Sequence, residues 1–326
     1  MVQRIRSSLV LGVVLAGCLV SLLPGCSEKS KPTSPIASNQ RSTIYTTFYP
    51  TAYFAQRIVG NTADVVCPVP QGEDPILWRP SRKILAEYQK ANLIIVNGAE
   101  FEKWIATASL PLSRMVDTAA AFADEFITFD SMTHSHGMRG DHTHEGIDGH
   151  TWVDPMIAKR QASAIVEAIV ARDPTREAMY RKNIASLASD LDALDERMRQ
   201  LQHALARVTI LASHPAYNYL ARRYGSEIVN LDLDPKGALG ESSAAIVRDA
   251  VGDAVGGAGG GASRVAIILW ESEPNESIVS ELKALSVESI LFSPCELLGD
   301  DERAAGFDYM SVMNANIDRL AAAIEG

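Results

Sequence analysis

The sequence predicts an α/β fold: two Rossmann-like lobes, each a mostly parallel sheet flanked by helices, joined by one long rigid helix. Three observations predict it. Short β-branched apolar runs alternate with amphipathic stretches from Thr43 to about residue 130. A helical period of about 30 residues then starts near Asp173, too long for one small lobe. The strand–helix rhythm restarts after it and runs to the end of the chain. Alternation of this kind is the pattern of parallel sheets covered by helices.

The elements follow in order. Arg4 and Arg6 precede an apolar run from Leu9 to Leu23. That run is short and poorly flanked for a membrane span and fits a signal-peptide core, so residues 1–25 read as a leader. It ends in Leu23-Pro24-Gly25-Cys26, which resembles a bacterial lipobox and predicts lipidation at Cys26. An ordinary leader followed by a chance cysteine is the alternative. Residues 26–42 are rich in Ser, Lys, Pro and Asn and read as a flexible tether.

Residues 43–155 read as the first lobe. STIYTTF, ADVVCPVP and ANLIIVN are its strands. Ala52–Val59, Arg82–Gln89 and a stretch around Phe101–Ala108 are its helices, and SRMVDTA is a further strand. Residues 131–149 have no apolar period and read as a surface loop. Residues 156–205 read as a helical connector. In it, Asp173 and Pro174 have the chemistry of an N-cap and a first helical residue. Met179, Ile184, Leu187, Leu191, Leu194, Met198, Leu201 and Leu205 recur at three- and four-residue steps. At 1.5 Å per residue such a helix is roughly 45 Å long, enough to reach both lobes. A coiled-coil partner is the competing explanation for its length. Residues 206–326 read as the second lobe: strands in ARVTILAS, SEIVNLD, RVAIILW and VESILFS, with helices at Ala216–Tyr224, Ser242–Val255, Glu276–Leu285 and Tyr309–Ile324. GGAGGGAS lacks the lysine and serine of a phosphate loop and reads as a connector.

Composition narrows the function. The formal charge is −10 over 326 residues, and loss of Arg4 and Arg6 with the leader takes it to −12. An acidic surface argues against nucleic acid and suits a cationic ligand. Of four cysteines, Cys18 leaves with the leader and Cys26 takes the lipid. Cys67 and Cys295 could pair in an oxidising envelope. Their placement in different lobes favours separate buried thiols.

Ligands of open α/β sheets bind beyond the carboxyl ends of the strands. The polar residues at those ends are Gln71 to Asp74, Asn97, His214, Glu271 and Glu296, with His150 between the first lobe and the connector. Imidazoles and carboxylates together suit zinc, manganese or iron. Each alone reads equally well as a loop residue, a helix cap or a surface ion pair. Four of the seven histidines, His134, His136, His142 and His144, fall within eleven residues of the 131–149 stretch. Short histidine tracts chelate metals because neutral imidazole is a ready ligand near pH 7. A mobile tract suits capture or sensing better than a rigid high-affinity site.

At this point the chain resembles the zinc- and manganese-binding lipoproteins of bacterial ABC importers, the cluster A-I solute-binding proteins. The resemblance runs from about Thr43 to Ile324, through TTFYPTAYFAQRIVG, PVPQGEDPILWRPS, ANLIIVNGAEFEKWI, HTWVDPMIA, LASHPAYNYLARRYG, WESEPNESIVSEL and YMSVMNANIDRLA. It implies that His150, His214 and Glu296 are metal ligands, Glu296 replacing an aspartate. The family's first histidine falls at Ile76, which cannot bind a metal. Asp74, Glu73, Glu241 or Glu271, or a histidine of the mobile tract, could complete the shell. The resemblance further implies a carrier and not an enzyme. It would hold Zn2+ (alternatively Mn2+ or Fe2+) between its lobes, with little lobe motion, and dock on an ABC permease with its ATPase. A monomer on the outer face of the cell envelope is expected, with binding weaker as pH falls through the histidine range. Three other readings stay open: a metal-buffering or adhesin lipoprotein without a transporter, a two-histidine-one-carboxylate non-haem iron enzyme, and a carrier of a non-metal solute.

Overall fold

In the first sheet, β-branched and leucine-rich runs form parallel strands. The computed structural model describes residues 41–135, 141–256 and 265–325. The leader, Cys26, the tether up to residue 40, His136 and most of the glycine-rich stretch lie outside the described residues. β1 (Ser42–Thr46), β2 (Ala63–Val66), β3 (Leu93–Val96) and β4 (Met115–Asp117) pair in the order β2-β1-β3-β4, all parallel. β1 starts at Ser42, inside the expected tether. α1 (Tyr49–Val59) starts three residues before the expected Ala52, because Pro50 is tolerated in a first helical turn. α2 (Arg82–Lys90) is capped by Ser81, whose hydroxyl accepts the Ile84 N–H.

Two stretches differ from expectation. The helix expected around Phe101–Ala108 is a 3-10 turn over Lys103–Thr107. Phe101, Glu102 and Trp104 are all buried there. The expected loop at 131–149 is largely an antiparallel strand pair, β5 (Thr128–Ser135) and β6 (Asp141–Ile147). Its register sets His134 opposite His142 and Met132 opposite His144. Cross-strand backbone hydrogen bonds form without an apolar period, so polar composition did not reveal the hairpin.

α3 (Pro155–Arg172) is N-capped by Asp154, whose carboxylate accepts from the Met156 and Ile157 N–H groups. Asp173 and Pro174 open a short 3-10 turn, and α4 (Glu177–Leu205) follows with 29 residues. α4 packs on α3 and α1 at one end, where Arg57 pairs with Asp190 at 2.6 Å and Asn183 donates to the Ile58 carbonyl.

The second sheet repeats the first. β7 (Thr209–Ala212), β8 (Ile228–Asn230), β9 (Ala266–Trp270) and β10 (Val287–Leu291) pair in the order β10-β9-β7-β8, again all parallel. In both sheets the second strand lies on one side of the first and the third on the other. Around it lie α5 (Asn218–Tyr224), α6 (Glu241–Gly256), α7 (Glu276–Ala284), a short α8 (Asp300–Ala304) and α9 (Tyr309–Glu325). α4 packs on α5 and α9, and Arg197 binds both Asn314 and Asp318. One apolar core runs from Ile44 and Phe54, through Leu187, Leu191, Leu194 and Met198 of α4, to Ile290 and Leu320. The period of α4 is thus explained by contact with both sheets' helices, not by a partner outside the chain. Cys67 and Cys295 follow strands of different sheets and are free thiols. Among the described residues, no helix is long and apolar enough to cross a membrane.

Candidate metal centre

The two sheets present the carboxyl ends of their strands to one cleft of about 300 Å3. The loop after β2 brings Gln71, Glu73, Asp74 and Ile76 to it; His214 follows β7, Glu271 follows β9, and Glu296 follows β10. His150 lies beneath, 1% exposed, just after β6.

His150 is held on three sides. Its Nδ1 and its backbone N–H both meet Asp148 Oδ1 at 2.9 Å. Its ring lies 5.4 Å from that of Trp152 and 6.0 Å from that of Phe101. A side chain at Gly149 would sit 3.0 Å from Phe101 Cβ, tighter than ordinary contact, so it would have to push Phe101 aside. Asn97 is buried and does not face the cleft. Its amide donates to the Gly149 carbonyl, and its side-chain oxygen accepts from Thr151 and Gln161. Behind it, buried Glu102 accepts from the Thr47 hydroxyl and from the Asn97 and Gly98 N–H groups. Burial pushes the Glu102 carboxyl up to about 7 against those hydrogen bonds.

The other side chains converge from the second sheet and the 294–296 segment. His150 Nε2 stands 3.2 Å from Glu296 Oε1, and the His150 and His214 rings are 5.4 Å apart. His214 Nδ1 is 4.0 Å from Glu271 Oε2. The Glu296 segment is fixed from across the cleft: Tyr49 N–H donates to the Glu296 carbonyl, and the Trp152 indole donates to the Pro294 carbonyl. Burial disfavours a charged His150, but the Asp148 and Glu296 carboxylates outweigh it and push the imidazole up to about 10. Burial, then the charges of Glu296 and Asp74, push Glu271 up to about 8. Among the described residues, no three His, Cys, Asp or Glu side chains are already spaced as a closed coordination shell. His150 and Glu296 meet each other directly, where a cation could take the place of the shared proton.

The family model described as "Zinc-uptake complex component A periplasmic" (ZnuA) matches residues 44–323. The chain belongs to the ZnuA family. The zinc-binding lipoprotein AdcA of Streptococcus pneumoniae serotype 4 is 27% identical over 317 residues, covering 95% of this chain and 60% of that protein. The high-affinity zinc uptake system protein ZnuA of Bacillus subtilis is 25% identical over 320 residues, covering 94% and 95%. The chain therefore spans about 60% of the streptococcal lipoproteins it matches but nearly all of the Bacillus protein. Two solved structures share the fold. The metal-dependent lipoprotein YcdH of Bacillus subtilis has a TM-score of 0.71 at 24% identity, covering 86% of this chain and 98% of its own. The Zn(II)-bound ZnuA-like domain of Streptococcus pneumoniae AdcA has a TM-score of 0.70 at 23% identity, covering 88% and 100%. ZnuA membership places the chain in a zinc-uptake family.

Set against the expectations for a ZnuA chain, His150, His214 and Glu296 fall in one neighbourhood, with Glu271 beside them. Ile76 is 7% exposed on the cleft wall, and its N–H is held by Asp74 Oδ1 at 2.8 Å. Asp74 and Glu73 line the same cleft, Glu73 from an exposed position. Glu241 does not reach it. It opens α6, is 87% exposed and pairs with Arg248 at 3.0 Å, a placement that favours a carboxylate at a helix N-terminus. His134, His142 and His144 lie on the β5–β6 hairpin, and His136 lies outside the described residues. Sequence reasoning missed Asp148 and Asn218. Asp148 Oδ2 accepts from the Asn218 amide at 2.9 Å, tying the His150 turn to α5. The only signal was a carboxylate two residues before a histidine.

Proposed function

We propose that this chain is the extracytoplasmic solute-binding component of a metal ABC importer. It captures zinc, with manganese or iron next in preference, between a first lobe over 43–155 and a second over 206–326, spanned by the connector over 156–205. His150, His214 and Glu296 are its donors. One observation carries this reading: His150 Nε2 lies 3.2 Å from Glu296 Oε1 and its ring 5.4 Å from that of His214, although the three come from separate parts of the chain. Membership of the zinc-uptake family supports it. Two imidazoles and a carboxylate are donors that zinc accepts.

The chemistry is exchange, not reaction. The ion replaces a proton between His150 and Glu296, so capture weakens as pH falls. Asp148 holds His150 through Nδ1, leaving Nε2 for the metal. Cys26 carries the lipid anchor after a leader over 1–25, and the tether over 26–42 lets a monomer reach a membrane permease driven by its ATPase. The histidine-bearing hairpin gathers metal near the cleft and passes it inward.

Elemental analysis of the purified chain, followed by zinc titration calorimetry, tests this reading. Zinc should co-purify, and His150→Ala and His214→Ala should each weaken binding at least about tenfold. Unchanged affinity in His214→Ala overturns the site.

A further inference from the structure

We propose that Glu271 is the fourth donor to the captured zinc and sets the cleft's preference among divalent metals. The inference rests on the zinc-carrier reading and goes one step past it. Three donors leave a four-coordinate ion one short. Ile76, on the first-lobe side of the cleft, has no donor atom. The acidic candidates on the cleft are Glu73, Asp74 and Glu271, and the fold separates them.

Topology favours Glu271. In the second sheet β7 lies between β8 and β9, so the chain reverses its winding at the β7–β9 pair. A parallel sheet opens a ligand crevice at such a reversal, beyond the carboxyl ends of the two strands. The β7–β9 register pairs Ala212 with Leu269. Carried two residues further, the same register sets His214 beside Glu271, and the side chains do meet, Nδ1 to Oε2 at 4.0 Å. Both stand within two residues of a strand end, Ala212 for His214 and Trp270 for Glu271.

The alternatives are worse placed. Asp74 Oδ1 already holds the Ile76 N–H, and its carbonyl accepts from Leu77 and Trp78. Swinging Asp74 inward would undo the turn that shapes the loop. Glu73 is exposed, whereas the Glu271 side chain is 20% exposed. Charge agrees with geometry. Glu271 is buried and feels the charge of Glu296. A divalent cation between them neutralises both, as two imidazoles and two carboxylates would require. Two oxygen donors also make a harder shell than an all-imidazole one, and manganese is held less poorly against zinc.

The test uses the full chain, with Zn2+ alone titrated against a chromogenic chelator and Co2+ as a spectroscopic probe. Glu271→Gln keeps the side chain's size and removes its charge. We expect it to lower zinc affinity at least about tenfold, to change the visible cobalt spectrum and to widen zinc's margin over manganese. Glu73→Gln, at an exposed position, should leave affinity nearly unchanged, and circular dichroism should show both variants folded. Zinc affinity within about twofold of the unaltered chain in Glu271→Gln, or an unchanged cobalt spectrum, overturns the proposal. If His214→Ala still abolishes binding, that result leaves the carrier reading intact. If the unaltered chain takes no zinc, the carrier reading falls and this inference with it.

Discussion

At the scale of single residues, the side chains behind the proposed donors are as testable as the proposed donors themselves. Asp148 is fully buried and binds His150 through both the ring and the backbone. An amide there can still accept from the His150 N–H but no longer stabilises the imidazole by charge. Asp148→Asn should lower zinc affinity about 10- to 100-fold, measured by calorimetry, with the fold retained. Glu102 gives a separate stability test. Its carboxyl rises from an ordinary 4.5 to about 7 because it is buried. The folded state therefore binds a proton that the unfolded chain has released. Its contribution is fully present below 4.5 and is lost as pH rises through 7. The metal-free protein should lose thermal stability as pH rises from 4.5 to 7, and Glu102→Gln should reduce that slope, Glu271 contributing its own loss up to about 8. A melting series across those pH values, in chelator, reads it directly. Little of this was legible beforehand. His150, His214 and Glu296 could be named from their neighbours in sequence. Asp148, Glu102 and Asn218 act through contacts that only the fold creates, and Glu271 could be listed but not chosen among the acids near it.

At the scale of elements, the apolar ones were read well and the polar ones were not. β3 and β9 are buried along their whole lengths, and LIIV and AIILW announce it. The β5–β6 hairpin is made by backbone pairing that composition does not report. A buried glutamate, Glu102, sits at the N-cap of the 3-10 turn at Lys103–Thr107 in what reads as a helix. Removing residues 134–144 should leave affinity at the cleft unchanged and reduce only the weaker sites in a zinc titration. α4 is the opposite case: its apolar period was plain, and its packing against α1 and α9 explains the length. Leu194 is 1% exposed in the core shared by both ends. Leu194→Ala should cost about 3 kcal/mol of unfolding free energy, read by denaturant titration as a single transition.

At the scale of the whole molecule, two sheets of the same strand order face one cleft and share one core along α4. That arrangement resists wide hinge motion, because opening would expose the core packed on α4. It is also clamped near the cleft by the Trp152 indole on the Pro294 carbonyl and the Tyr309 hydroxyl on the Trp152 carbonyl. Small-angle scattering with and without zinc should give nearly superimposable profiles, and a large contraction would contradict this picture. The two-lobe plan was legible because each lobe repeats the same alternation, and the long helix between them cannot be mistaken for a loop. Which polar residues the plan would bring together was not, since strand order decides that and sequence does not print it. The central claim is that one ion sits between His150 and His214. X-ray absorption at the zinc edge, on the chain lacking residues 134–144 and loaded with one equivalent, tests it most directly. The account predicts a shell with two imidazole nitrogens and carboxylate oxygens, losing one imidazole in His214→Ala. A shell without imidazole, or one that His214→Ala leaves unchanged, would contradict it.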